Sequence, residues 1–220
     1  MNESTQSILS VQGAGRRIEQ RWIWRRLTFD LRAGERLALL GPTGSGKTLL
    51  LRALAGLDRL EEGTITLGGK VMSAWKMPTY RSKVMYLPQT PALMETTVED
   101  NLRVVFDLEA HRGKVFNQGQ ISHQLDPFGR GDGFLQRPAR ALSGGERQIV
   151  AFLRALQLGP GVLLLDEPTA NLDAESTQHI EQLVTSWLAE VSGRAVIWAS
   201  HQANQIERMT GSCIDLTHVT

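Results

Sequence analysis

Apolar residues fall into short runs bounded by turn residues, and the runs alternate between strand-like and helix-like spacing. Residues 36–40 predict a short apolar strand. Residues 41–46, with three glycines and a proline, predict a turn. Over residues 47–55, Leu50, Leu51 and Leu54 have the spacing of a helix buried on one face. Residues 64–67 and 84–87 predict short strands, 162–165 and 195–199 fully apolar strands, and Ile214 with Leu216 a last short one. Long helices are predicted over 146–158 and 175–191. Strands that come singly and alternate with helices predict an α/β fold with a mostly parallel or mixed sheet.

Between residues 96 and 141 the pattern changes. Val98, Leu102, Val105 and Phe106 suit an amphipathic helix, and residues 113–133 are rich in Gly, Gln and Asn with weak periodicity. This predicts a small helical subdomain over about 90–141, set within a single domain whose core is about 1–89 and 142–220. Phe106, Phe116, Phe128 and Phe134 fall in this segment. Most are expected to pack it, and some to line a groove for a partner.

Composition alters this picture little. The 220 residues are 41% hydrophobic and 21% charged, ordinary for a globular chain. Lys and Arg number 24 against 23 Asp and Glu, so no basic excess points to a nucleic-acid partner. The single cysteine, Cys213, forms no internal disulfide, which suits a reducing compartment, and it is expected to pack as a small hydrophobe. Residues 1–10 are polar and do not resemble a secretion signal. No apolar run of about 20 residues is present, so work at a membrane would need another chain as anchor.

The chemistry begins at Gly41, Pro42, Thr43, Gly44, Ser45, Gly46, Lys47 and Thr48, which match the P-loop pattern in full. Glycines let successive backbone N–H groups turn toward phosphate oxygens, and the following helix aims its N-terminal dipole at the same anion. Lys47 is suited to reach the β- and γ-phosphates, and the Thr48 hydroxyl to ligate Mg²⁺. The second element is the apolar strand 162–165, which ends in Asp166 and Glu167. Ligands of open α/β sheets bind at that edge. Asp166 is then placed to hold Mg²⁺ through water, and Glu167 to act as general base toward the attacking water.

Leu142, Ser143, Gly144, Gly145 and Glu146 precede a long helix and form a second anion site from a hydroxyl, backbone amides and a helix start. One nucleotide does not need two cradles. Both are used if two chains pair head to tail, each ATP lying between one chain's P-loop and the other's Ser143 loop.

With these motifs in order along nearly the whole chain, the sequence resembles the ABC ATPase family. Three further segments are similar to family motifs: Gln89 in Tyr86-Leu87-Pro88-Gln89, Asp173 in Ala170-Asn171-Leu172-Asp173, and His201 in Trp198-Ala199-Ser200-His201. The resemblance implies that Gln89 senses Mg²⁺ and the lytic water, that His201 contacts the γ-phosphate, and that Asp173 contacts a second ATPase subunit. It also implies ATP and Mg²⁺ as cofactors, a homodimer, and membrane-spanning subunits in separate chains. The protein would then sit peripherally on the cytoplasmic face of the cell membrane. Taken singly, Gln89 suits a solvated loop, His201 a structural hydrogen bond and Asp173 a helix cap.

Two departures stand out. Glu146 replaces the more usual Gln, a mild change at a helix start that suits an acid. The aromatic residue that commonly stacks on adenine is missing near residues 16–18. Arg16 or Arg17 can supply a guanidinium plane instead, and Trp22 is a further candidate. Trp22 and Trp24 equally suit core or partner-facing positions on one strand face. Residues 89–91 and 97–102 are similar to the ATPase subunit of a bacterial iron-export system, which raises metal export as an expectation. The rival class is a soluble, non-transport ABC ATPase. Such chains usually carry long coiled-coil or zinc insertions or two ATPase domains, and this sequence has neither. The chain stops soon after His201, so no appended regulatory domain is expected.

Overall fold

The computed structural model describes residues 7–131 and 133–217. Five parallel strands form the central sheet: β3 (Arg36–Leu40), β6 (Val84–Leu87), β7 (Val162–Asp166), β8 (Ala195–Ala199) and β9 (Ser212–Asp215), in spatial order β6-β7-β8-β3-β9. β7 and β8 are buried at every position. Their side chains alternate between two cores, as period-2 geometry requires. Leu163, Leu165, Val196 and Trp198 pack on one face; Val162, Leu164, Ala195 and Ile197 pack on the other.

The first core joins the sheet to α5 (Gly144–Leu156) and α6 (Ala174–Glu190). It runs without a break into α3 (Val98–Arg103), α4 (Gln118–Leu125), Phe128 and Phe134. The helical segment 90–141 therefore shares the main core. Phe128 and Phe134 are buried as packing residues, whereas Phe106 and Phe116 meet edge to face at 6.2 Å on a half-exposed surface.

The second core lies between the parallel sheet, α1 (Lys47–Leu54) and a four-stranded antiparallel sheet. That sheet has the order β2-β1-β4-β5, with β1 at Ser7–Ile18, β2 at Arg21–Arg32, β4 at Glu62–Leu67 and β5 at Lys70–Val71. The α/β expectation holds, but the strands divide into one parallel and one antiparallel sheet. The N-terminal hairpin was not expected, and residues 7–10 of the polar leader belong to β1. Two short helices, α2 (Met77–Lys83) and α7 (Ala203–Met209), complete the fold.

Trp24 is wholly buried, in keeping with a core role, while Trp22 is half-buried. Cys213 is exposed, which corrects the expectation of a packed thiol. It lies on β9 at the edge of the parallel sheet, where Ser212 and Ile214 take the half-buried face and Cys213 the outer one. Among the described residues, no helix is long and apolar enough to cross a membrane.

Candidate functional site

Parallel register brings the predicted residues together. Leu39 pairs with Ala199, and Ala199 with Asp166, so β3, β8 and β7 end level with one another. The loops leaving those ends carry residues 41–48, Ser200 with His201, and Glu167, all at one edge of the sheet. This is the edge where open α/β sheets bind ligands.

In the 41–48 loop, Gly41, Gly44 and Gly46 adopt φ of 140°, 83° and 90°. The Ser45 N–H donates to the Pro42 carbonyl at 3.1 Å, and Pro42, Thr43 and Gly44 face solvent. Gly46 caps α1 from the left-handed region. A Cβ there would lie 2.5 Å from Ile23 Cγ2 and 2.8 Å from the Trp24 indole nitrogen. Core packing on β2 therefore sets the shape of the cradle. Gly46→Ala is expected to cost about 1–2 kcal/mol for the left-handed backbone alone, and more for the overlap. A lower Tm with loss of ATP binding checks this; an unchanged Tm would show that β2 does not press on the loop.

Lys47 and Thr48, at the start of α1, both make polar contacts at this edge. Lys47 Nζ donates to the carbonyls of Gly41 (2.7 Å) and Pro42 (3.2 Å), folded along its own loop. Thr48 Oγ1 donates to Asp166 Oδ2 at 2.8 Å, and the Tyr86 hydroxyl donates to the same oxygen at 3.0 Å. Burial, then the neighbouring Asp166 charge and hydrogen bond, pushes the Tyr86 phenol well above its usual range, so it stays a donor. Tyr86 was not singled out from the sequence. Its signal is a lone hydroxyl in an apolar strand flanking the carboxylate strand.

Glu167 is buried, and its backbone is left-handed at φ 49°. Its N–H donates to the Ala199 carbonyl at 3.0 Å. His201 Nε2 lies 3.1 Å from Glu167 Oε1, close enough for ion pairing but not aligned as a hydrogen bond. Burial pushes the Glu167 carboxyl up. His201 and Lys47 pull it back and Asp166 adds to the rise, so it ends above the usual carboxylate range. A raised carboxyl beside a half-exposed histidine suits proton acceptance from water.

The second cradle is built differently. Ser143 caps α5 in a full capping box: its Oγ accepts from the Glu146 N–H (3.1 Å), and Glu146 Oε2 accepts from the Ser143 N–H (2.8 Å). The Ser143 hydroxyl proton remains available to an anion. Burial pushes the Glu146 carboxyl up, but the Ser143 N–H, Arg137 and Arg130 outweigh it and hold it below the usual range. The acid at this position is thus accommodated as expected. Ser143 and Gly144 are exposed, and Gly145 packs against Asn171, where a Cβ would sit 2.7 Å from its carbonyl oxygen. The neighbours of this loop are residues 171–172, not the 41–48 loop.

Three further predicted residues lie outside the hydrogen-bonded cluster. Gln89 is exposed in the loop after β6. Asp173 is exposed and caps α6, accepting from the Ser176 N–H at 2.7 Å, which holds its carboxyl low. Arg16 donates to Glu61 Oε1 (2.8 Å) and to the Arg59 carbonyl (2.9 Å). The Arg17 guanidinium lies over the Trp22 ring at 5.6 Å and that of Arg25 at 4.6 Å.

The donor set fits Mg²⁺ only in company with phosphate. Among the described residues, no group of three or more His, Cys, Asp or Glu is arranged to hold a metal. One hydroxyl and one carboxylate beside a phosphate cradle are what Mg²⁺ uses when it shares ligands with a nucleotide and water.

A glycine-shaped cradle opposite a strand-end carboxylate pair defines the class as a P-loop nucleotide hydrolase. The sequence profile described as ABC transporter matches residues 24–170, more than half of the chain, and the chain belongs to that family. It is an ATP hydrolase of the kind that powers transport. It is 34% identical over 199 residues to the probable iron export ATP-binding protein FetA of Escherichia coli K12, covering 90% of this chain and 87% of that one. It is 36% identical to protein STAR1 of Oryza sativa subsp. japonica, over 91% of this chain and 58% of that protein. It is 38% identical to the sulfate/thiosulfate import ATP-binding protein CysA of Xylella fastidiosa Temecula1, over 81% of this chain and 51% of that protein. Among solved structures, the ATP-binding subunit of an ABC transporter superposes with TM-score 0.81 at 25% identity, over 96% of this chain and 86% of the other. A dimeric ATP-binding cassette bound to ADP and Pi shares the fold, with TM-score 0.82 at 22% identity over 95% and 94%.

Proposed function

We propose that two copies of this chain close head to tail on two Mg-ATP and drive membrane-spanning subunits carried on separate chains. The observation that carries this reading is the presence of two anion cradles in one chain with no contact between them. Loop 41–48 ends at Asp166 and Glu167, whereas Ser143 and Gly144 open to solvent beside Asn171. A second copy, turned head to tail, would set its Ser143 hydroxyl and α5 start against the γ-phosphate held by the first. Asp173 and Asn171 would then lie at the seam.

In this reading the loop amides and Lys47 hold the β- and γ-phosphates, and Arg16, held by Glu61 and the Arg59 carbonyl, is the candidate to lie against adenine. Thr48 and Asp166, with Gln89 from the loop after β6, would hold Mg²⁺, which would neutralise phosphate charge there. Glu167 takes the proton of the attacking water. His201, beside Glu167, holds the γ-phosphate side of the site. Loss of the γ-phosphate removes the charge that joins the copies, and they open.

The segment 90–141 supplies the coupling surface. A groove of about 600 Å³ is lined by Met94, Val104, Phe106, Val115 and Phe116 together with the charged Asp100, Arg103, Asp107 and Lys114. Val115 is 83% exposed, an apolar side chain that suits a membrane subunit's cytoplasmic helix. That docking would place the chain on the cytoplasmic face of the membrane. Metal export is the cargo reading carried by residues 89–91 and 97–102, and the FetA relative supports it. The relatives named for sulfate and phosphate import carry similar ATPase chains, so the membrane subunit must identify the cargo.

The test is capture from detergent-solubilised native membranes with tagged Glu167→Gln and Mg-ATP, read by mass spectrometry. A stoichiometric polytopic membrane protein is the expected product, and its own sequence reports the cargo. Recovery of soluble partners or nucleic acid alone would replace transport with soluble ABC work.

A further inference from the structure

Gln148 is wholly buried one turn into α5, the helix whose start carries Ser143, Gly144 and Gly145. Its side chain does not pack as an inert filler. Nε2 donates to the backbone carbonyl of Glu167 at 3.3 Å, and Oε1 accepts from Asn171 Nδ2 at 3.3 Å. A single amide thus joins three loci: the start of the second cradle, the general base of the first, and the segment between β7 and α6.

The Glu167 peptide needs such a hold. Its φ of 49° is a left-handed conformation that a residue with a Cβ adopts at a cost, and it persists only where its surroundings fix it. Its N–H is bound to Ala199 on β8, and its carbonyl accepts from both the Ala170 N–H (3.2 Å) and Gln148. The Ala170 contact is local to the turn and moves with it. Gln148 ties the turn to a different element, α5, and so sets where the Glu167 carboxylate stands relative to His201.

We propose that Gln148 is a positioning residue for Glu167 and the intrachain relay between the two ATP sites. It acts on the reaction only through the Glu167 peptide. The relay rests on the head-to-tail reading: α5 of each chain caps the ATP of one site, while its Gln148 holds the general base of the other. When ATP draws the Ser143 loop of α5 toward the second copy, the shift reaches Glu167 through this amide. Gly145 reinforces the link by packing directly on the Asn171 carbonyl.

The substitution that reads this is Gln148→Met. Methionine fills the same unbranched volume. It leaves no buried partner orphaned, because the Glu167 carbonyl keeps the Ala170 N–H and the exposed Asn171 amide turns to water. Initial rates of Mg-ATP hydrolysis would be measured against ATP for the full-length chain assembled with its captured membrane subunit. The expected result is a kcat lower by about 10- to 100-fold, the range for small misplacement of a catalytic group. KM should stay within about twofold, and the Hill coefficient should fall toward 1. Asn171→Ala removes one arm of the bridge and is expected to lower the Hill coefficient with a smaller loss of kcat. Adding Gln148→Met to Glu167→Gln is expected to cost nothing further, because the group it positions is gone; a general folding defect would multiply with it.

Wild-type kcat and Hill coefficient in a folded Gln148→Met would overturn the proposal, as would a loss confined to KM or one fully additive with Glu167→Gln. A wild type with a Hill coefficient of 1 would instead strike the paired-site reading, and with it the relay, while the kcat and double-variant results still decide the positioning role.

Discussion

Replacing Glu167 with glutamine is expected to slow ATP hydrolysis by about 10²- to 10⁴-fold, the contribution of a general base, while ATP binding persists. The same change is expected to raise thermal stability at neutral pH. Burial lifts the Glu167 carboxyl above its usual range despite His201 and Lys47. A carboxyl raised in the folded state favours folding below its unfolded value, and that contribution is lost as pH climbs through the folded value. As pH climbs, wild type must therefore ionise a group that the fold disfavours, and glutamine removes that cost. The Tm gain of Glu167→Gln should shrink as pH falls toward the ordinary Glu pKa of about 4.3. The wild-type hydrolysis profile should lose activity on its acid side at a pH above that value. A variant equally active, or one less stable than wild type at neutral pH, would remove Glu167 from the role of buried base.

This opposition between stability and activity has a structural source. Glu167 combines a left-handed backbone, a buried carboxylate and a neighbouring acid, Asp166, and each is unfavourable alone. They are tolerated because β7 and β8 are locked in register and buried on both faces, so the turn that follows has little room to relax. Strain at the site is held by the best-packed part of the molecule.

The sequence made some of this visible and hid the rest for definite reasons. β7 and β8 were legible because a strand buried on both faces reads as an unbroken apolar run. The 41–48 loop was legible because its glycines sit between a strand and a helix of contrasting period. The hairpin β1–β2 was not. Its strands are half exposed, and β-bulges interrupt the alternation, with Gly13 and Arg26 at positive φ. Helix α2 buries Tyr80 alone, too little to produce a period. Cys213 was misplaced because side-chain type says nothing about which face of an edge strand it will occupy. The site residues were legible as types at motif spacing, but not their connections. The contact of Tyr86 with Asp166 depends on the pairing of β6 with β7, and that of Gln148 with Glu167 on how α5 packs, and both are set by tertiary structure.

Asp166→Asn is expected to raise the Mg²⁺ concentration for half-maximal hydrolysis by about 10- to 100-fold, the usual cost of altering a group that acts on a metal through its outer shell, with the fold retained. Asp166 is 4% exposed, and its Oδ2 accepts from both Thr48 and Tyr86. An asparagine oxygen in the same place can accept both bonds, so the network survives and only the charge is lost. Asp166→Ala is a harsher change. It leaves the half-buried Tyr86 hydroxyl without its acceptor, an omission worth about 1–3 kcal/mol. The two variants therefore separate the uses of one side chain. Asparagine should shift the Mg²⁺ titration with little change in Tm, while alanine should lower Tm as well. Thr48→Val, which removes the other proposed ligand and keeps the shape, should move the Mg²⁺ titration in the same direction as Asp166→Asn. If asparagine leaves that titration where wild type has it, Asp166 is a structural acceptor for Tyr86 and Thr48, and the metal must be held by other groups around the cradle.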